Sequence, residues 1–405
     1  MRVLIFLSCL CAGPAFAGGP LSLDEAVQLA LREQPALLAL DRAATAAGES
    51  SGAEARWPDP KLRFGVQNVP VTGADSFSLD AEDMTMQTVG VMQEFVRGAK
   101  LDARAARAGA EARQWSAERE QTTRQIARDA ALAWLDIFYA REVNVLLDEL
   151  LRDAAVERQT AQAQFTAGRM EARELLSLDT MRGMMEHRQT DARRTEGRGR
   201  AMLARWIGPE ALRPLTPDLP AFASPALPAL EERLAAHPML AAARHSVAVA
   251  EYEAQLARLA TQPDWNMELM YGARSGGRDD LVTLLFGVDL PIAQSRRQLP
   301  RFAASQALAE RAQWQAADRE RQLRAELLTA WSDWESVTER ERRHADLLMP
   351  AAQARVDTAL AAYRGGKGSL SAVWEARRAL AEVIQEHLSL QVDAVRAAVQ
   401  LRYFE

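Results

Sequence analysis

Two hydrophobic periods take turns along this chain. Leu62, Phe64 and Val66 alternate with Arg63, Gly65 and Gln67. Trp265, Met267, Leu269 and Tyr271 alternate with Asn266, Glu268, Met270 and Gly272. Val282, Leu284, Phe286, Val288 and Leu290 alternate with Leu281, Thr283, Leu285, Gly287 and Asp289. Period two marks strands with one apolar face. A further run, Met84 to Phe95, slips in phase near Thr88, where a bulge is expected. Strands are expected over about 61–70, 84–96, 265–273 and 281–290, joined pairwise by the polar tips Thr72 to Asp83 and Ser275 to Asp280.

Between these runs the chain reads as long helix. From Ala99 to Thr166 there is no proline and one glycine, Gly109. That stretch is ~100 Å of helix at ~1.5 Å per residue. Helices are expected over about 99–166, 170–206, 300–362 and 369–403, with Pro350 kinking or breaking the third. Ala99, Ala103, Ala106 and Ala110 form the expected contact stripe, with Arg and Glu on the solvated faces.

The order strand, strand, helix, helix occurs twice. Leu23-Asp24-Glu25-Ala26 with Gln34-Pro35 is echoed by Leu230-Glu231-Glu232 with His237-Pro238. Trp57-Pro58-Asp59-Pro60 is echoed by Pro263-Asp264-Trp265, and Phe165-Thr166-Ala167-Gly168 by Tyr363-Arg364-Gly365-Gly366. The spacing makes this a duplication. Its expected parts are a first repeat over 18–206, a proline-rich linker over 207–228 and a second repeat over 229–405.

Composition narrows the class. The chain has 405 residues, 48% hydrophobic and 26% charged, as in folded proteins. A net charge of -6 gives no basic footprint, so nucleic acid is not an expected partner. Residues 1–17 read as a secretory signal: Arg2, the apolar Val3 to Ala12, then Ala15-Phe16-Ala17 before Gly18. As a membrane anchor the run is too short. Both cysteines, Cys9 and Cys11, lie inside it, and Phe6-Leu7-Ser8 is a poor lipidation signal. The processed chain would have no thiol.

No apolar run after residue 18 is long enough for a membrane helix, but an exported chain can cross as strands. The hairpins read either as a small sheet packed on helices or as a share of a membrane barrel. Four strands close no barrel, because bacterial barrels start at about eight. The barrel reading therefore needs an oligomer. In it Leu284, Phe286 and Val288 face lipid, and Thr283, Gly287 and Asp289 face the lumen.

Chemical motifs are sparse. There is no phosphate loop, no HExxH and no close histidine pair. His187 with Met181, Met184 and Met185 reads as a packing stripe rather than a soft-metal relay, and Met84, Met86 and Met92 as packing or barrel wall. No enzyme, cofactor or resident metal is expected.

These residues together resemble the TolC-like outer membrane efflux channels, in the heavy-metal exporter branch related to CzcC and CusC. The resemblance is carried by the openings above, by Pro58-Asp59-Pro60, Gln67-Asn68-Val69-Pro70 and Met84-Thr85-Met86, and by Val89-Gly90-Val91-Met92-Gln93-Glu94-Phe95 before Gly98-Ala99-Lys100. That branch usually has prolines at this corner; Val96-Arg97 stand there here, and Ala99 is inserted.

The resemblance implies a mainly α fold with a small membrane β part. Three chains would make a twelve-stranded barrel in the outer membrane, continued by an α-helical periplasmic tunnel. It implies a homotrimer, a periplasmic adaptor, an inner-membrane RND-type pump and outer membrane lipid as partners. The implied function is a passive exit duct for metal cations; the alternatives are a drug or small-molecule channel, and a soluble periplasmic scaffold or adaptor. Phe165, Gly168, Arg169, Tyr363, Gly366 and Lys367 match the adaptor-contacting helix tips. The family's two acidic gate rings fall at Ala372 and Glu375, so the first is lost or taken over by Glu174. If neither glutamate gates, apolar residues such as Leu370 and Trp374 are the next candidates.

Overall fold

A computed structural model describes residues 19–168, 170–222 and 226–405. The expected signal, residues 1–17, lies outside them, as does Arg169. The chain divides into two compact units, each drawing on both sequence repeats.

One unit holds Ala36–Gln121 and Ala236–Gln322. Its centre is a four-stranded antiparallel sheet in the order β1-β2-β3-β4, with β1 Lys61–Gln67, β2 Met86–Phe95, β3 Trp265–Arg274 and β4 Leu281–Val288. The pairing is regular throughout, so the bulge expected near Thr88 is not there. The apparent slip has another cause: Met86 and Met92 lie on the same face as Thr88 and Gly90, while Val89 and Val91 lie on the other. Apolar residues thus occupy both phases of one unbroken strand. Met84 lies before the strand and is exposed.

The helices carrying the strands are α2 (Pro35–Glu54), the start of α3 (Gly98–Thr166), α6 (Pro238–Leu259) and the start of α7 (Gln298–Arg343). Pro35 and Pro238 open their helices, where a missing N–H costs nothing. Ala103, Ala108 and Ala110 of α3 are buried, whereas Ala99 in its first turn is exposed. Ser51 of α2 donates to the Ala105 carbonyl at 2.8 Å, so small side chains let these two helices approach.

The other unit holds Thr122–Ala235, Leu323–Glu405 and the N-terminal stretch to Pro35. It contains α1 (Leu23–Ala30), the rest of α3, α4 (Ala172–Ile207), α5 (Leu227–Leu234), the rest of α7, α8 (Met349–Arg364) and α9 (Leu370–Arg402). Trp134, Leu135 and Ile137 of α3 are fully buried. Gly199 of α4 rests on this turn: a Cβ there would meet Ile137 Cγ1 at 2.8 Å. Ser22 caps α1 through the Glu25 N–H at 3.2 Å.

The chain after α4 is docked through Arg213, Leu215 and Thr216. Buried Arg213 donates to Glu25 Oε1 at 2.8 Å, Glu210 Oε2 at 3.1 Å and the Gly19 carbonyl. These contacts also hold the guanidinium's pKa up. The indole of Trp134 donates to the Leu21 carbonyl at 3.0 Å.

Pro350 acts as expected, with a specific geometry. α7 ends at Arg343, a single π turn spans His344–Leu348, and α8 begins at Met349. Proline supplies no N–H and its ring crowds the carbonyl four residues back. One wider turn accommodates both defects without ending the helical path.

Candidate functional site

The sheet has two chemically opposite faces, and the register shows how they arise. Phe64, Val89, Tyr271 and Val282 stand side by side across the strands. Leu62, Val91, Leu269 and Leu284 form the next row, Met267 and Phe286 flank Gln93's row, and Phe95, Trp265 and Val288 form the last. This face is apolar and open: Phe64 is 84% exposed and Phe286 65%. Aromatic rings mark its foot, with Trp57 edge-on to Phe95 at 5.1 Å and Phe95 stacked on Trp265 at 4.1 Å. At the other end the Tyr271 hydroxyl donates to Asp280.

The opposite face is polar. Lys61 pairs with Glu94 at 2.5 Å, and Arg63 with Glu268 at 3.1 Å. Asn266 and Thr283 share this face with Gly65, Gly90, Gly272 and Gly287. Two methionines fill the space over glycines: Met270 lies on Gly90 and Met86 on Gly272, where an added Cβ would meet Met86 Sδ at 2.5 Å. These methionines are wall-filling side chains.

Both edges of the sheet, β1 and β4, lack a strand partner among the described residues. Unpaired edges are templates for another strand. No helix among the described residues is long and apolar enough to cross a membrane.

The foot of the sheet is locked by charge. Buried Lys100 donates to Asp264 Oδ2 at 2.6 Å and to the Gln262 carbonyl at 2.9 Å. Asp264 Oδ1 accepts the Arg97 N–H at 3.2 Å, and the Asp264 carbonyl accepts the Asp289 N–H at 2.9 Å. The sequence signalled this lock only weakly, through Lys100 as one of three lysines and through the recurring Pro-Asp-Trp cluster.

The helix tips lie in the other unit. α3 ends at Thr166, and Gly168 turns the chain at φ 69° with its N–H on the Phe165 carbonyl at 2.9 Å. Gly366 turns the second tip at φ 71°, and the Lys367 N–H reaches the Ala362 carbonyl at 3.0 Å. Both turns need the left-handed region that glycine adopts freely. Phe165, Tyr363 and Lys367 are exposed there. Glu174 is the third residue of α4, and Glu375 is exposed on α9.

Trp374 is not an exposed apolar gate candidate. It is buried with Ala161 and Leu178, and Met170, Leu175 and Met181 pack around them. Met185 belongs to another cluster, with Val143, Leu147 and Ala192, while Met184 and His187 are exposed. The methionines beside His187 therefore do not converge.

Sequence reasoning missed the ties behind the tips. Arg377 of α9 donates to Glu157 of α3 at 2.8 Å and lies 3.8 Å from Asp153. Arg158 pairs with Asp179 of α4 at 2.5 Å, which lowers the Asp179 pKa. Burial pushes the Glu157 carboxyl up, more than the Arg377 guanidinium pulls it down. No sequence spacing signals these ties, because their partners lie on different helices.

Residues 229–403 match the family model Outer membrane efflux protein. The matched span contains β3, β4, the second tip and α9, and so Tyr363, Gly366, Lys367 and Glu375. Solved structures match over nearly the whole chain. The outer-membrane channel OprN is 16% identical with a TM-score of 0.78, over 94% of this chain and 89% of its own. The CmeC outer membrane channel of Campylobacter jejuni is 13% identical with a TM-score of 0.80, over 94% and 85%. CusC is 13% identical with a TM-score of 0.75, over 94% and 91%. No curated protein matches the chain in sequence. The fold is that of these outer membrane channels: mainly helical, with a small strand part.

Two measurements test this geometry. Phe286→Arg places charge on the apolar face and should cost ~2–4 kcal/mol near a bilayer midplane, whereas Thr283→Arg on the polar face is tolerated. Folding into lipid vesicles reads both; if Thr283→Arg fails and Phe286→Arg assembles, the faces are reversed.

The second concerns pH. Glu157 binds its proton more readily in the fold than in the unfolded chain, so its ionisation opposes folding: the cost is absent below the ordinary carboxylate value, grows as pH rises through the raised pKa and is full above it. Arg377→Leu strips the charged form of its partner. The melting temperature should therefore fall more at pH 8 than at pH 5; an equal drop at both would show that Glu157 is not the group affected.

Proposed function

We propose that this protein is the outer membrane exit duct of a tripartite export system, working as a homotrimer without an energy source of its own. The observation that carries this reading is the sheet: one apolar face open to its surroundings, one polar face, and two free edges. In lipid a free edge strands several backbone N–H and C=O groups at high cost. Pairing β4 of one chain with β1 of the next removes every edge, and three chains close a twelve-stranded barrel with the apolar face toward lipid. An exposed apolar surface of this extent does not suit a soluble scaffold. The family match and the fold likenesses support the same reading.

In this reading the helical part is periplasmic. Phe165, Gly168, Arg169, Tyr363, Gly366 and Lys367 meet the adaptor at the tips, and the inner-membrane pump supplies the energy. Glu174 and Glu375 face the tunnel, where carboxylates from three chains attract and bind cations at the constriction. The cargo proposed from the sequence resemblance is metal cations. A second reading, an anionic or other small molecule, is favoured by the arginine-lined cavity described below.

Two experiments test the assignment. The full chain in detergent should be a trimer in the outer membrane fraction; a monodisperse monomer by light scattering, with strands intact, would overturn the barrel. Loss of the gene should sensitise cells to metal salts under the first cargo reading and to organic compounds under the second.

Replacing Glu174 and Glu375 together with Ala should raise single-channel conductance or abolish block by divalent cations. Unchanged conductance and unchanged block would assign both glutamates to the solvated helix face.

A further inference from the structure

At the foot of the sheet, where the strands pass into helices, lies a cavity of about 940 Å³. Its walls come from α3, α6, the start of α7 and the loops leading into β3 and out of β4. Four cations line it, Lys100, Arg104, Arg297 and Arg301, against two carboxylates, Asp264 and Asp289. Lys100 is committed to Asp264 at 2.6 Å. Among the described residues no carboxylate pairs with Arg104, Arg297 or Arg301. Elsewhere in this unit arginines do pair with acids, as Arg107 does with Glu253 and Arg119 with Asp41.

The cavity belongs to the polar side of the sheet. Trp265 opposes Val288, and the next backbone contact joins Asp264 to Asp289. Successive residues of a strand alternate faces, so both aspartates continue the face of Asn266 and Gly287. Like-charged guanidiniums around one opening repel each other until an anion lies between them. Guanidinium geometry suits phosphate and carboxylate oxygens, which accept two parallel N–H bonds.

We propose that this cavity binds solutes bearing phosphate or carboxylate groups as they pass from the helical part into the barrel, favouring organic or inorganic anions over bare cations as cargo. The inference rests on the reading that the polar face lines the duct. Three copies around one axis would present the arginines as a ring.

Inorganic tripolyphosphate serves as the probe, titrated calorimetrically into the full chain in detergent. Saturable binding is expected. Arg297→Gln with Arg301→Gln should weaken it about tenfold or more, from the loss of two charged hydrogen-bond donors. The Arg297→Lys, Arg301→Lys pair should retain part of it, and Arg342→Gln with Arg343→Gln, remote in sequence on α7, should leave it unchanged. Arg104→Gln, on a different helix, gives the same reading if the double variant does not fold.

Absence of binding to the wild type, or equal binding by the Gln variants, overturns the proposal. Planar bilayers separate this outcome from the duct reading. A conducting trimer that does not bind tripolyphosphate keeps the duct and loses the site. Arginine-dependent binding by a protein that forms no pore keeps the site and loses the duct.

Discussion

The ten-residue pairing of β2 with β3 is the constraint on which the rest of the structure depends. It is the seam between the two sequence repeats. A strand has side-chain period two, so a slip of one residue would exchange every outward and inward side chain. With the seam in register, Val89 and Val91 fall in line with Tyr271 and Leu269, and the apolar face becomes continuous across all four strands. Gly90 and Gly272 open space on the other face for Met270 and Met86, so the seam is packed as well as hydrogen-bonded.

The same seam explains the charge lock beneath it. β2 ends at Phe95, two residues turn the corner, and α3 starts at Gly98. Lys100 then sits within reach of Asp264, which precedes β3. A buried lysine is costly unless paired, and both oxygens of Asp264 are occupied at this corner. The Arg97 N–H and the Lys100 ammonium both donate to Asp264 at this corner.

The charges behind the tips and those around the cavity at the foot of the sheet are in different states. Around the tips, arginines are tied to acids on neighbouring helices: Arg377 to Glu157, Arg158 to Asp179. At the foot of the sheet three arginines are left without acids, around an open cavity. Paired charges hold helices together, while unpaired ones are available to a solute.

Much of the architecture was legible in the residues. Period-two runs, proline-free helical stretches, the repeated Gln-Pro and His-Pro openings and the tip glycines are local signals, and local sterics dictate what they do. Pro350 likewise signals a kink or break, and the helical path is kinked through one π turn there rather than ended. The errors came where a local signal had two causes. Met86 and Met92 looked like a change of phase near Thr88, and only the partner strand showed both on the polar face, with Met86 filling the space over Gly272. Trp374 stood as a fallback apolar gate candidate, and only its packing with Ala161 of α3 and Leu178 of α4 shows it buried. The Lys100–Asp264 lock, the Arg377–Glu157 tie and the arginine cavity join residues far apart in the chain. Their distances follow from strand register and helix packing, which no spacing along the sequence encodes.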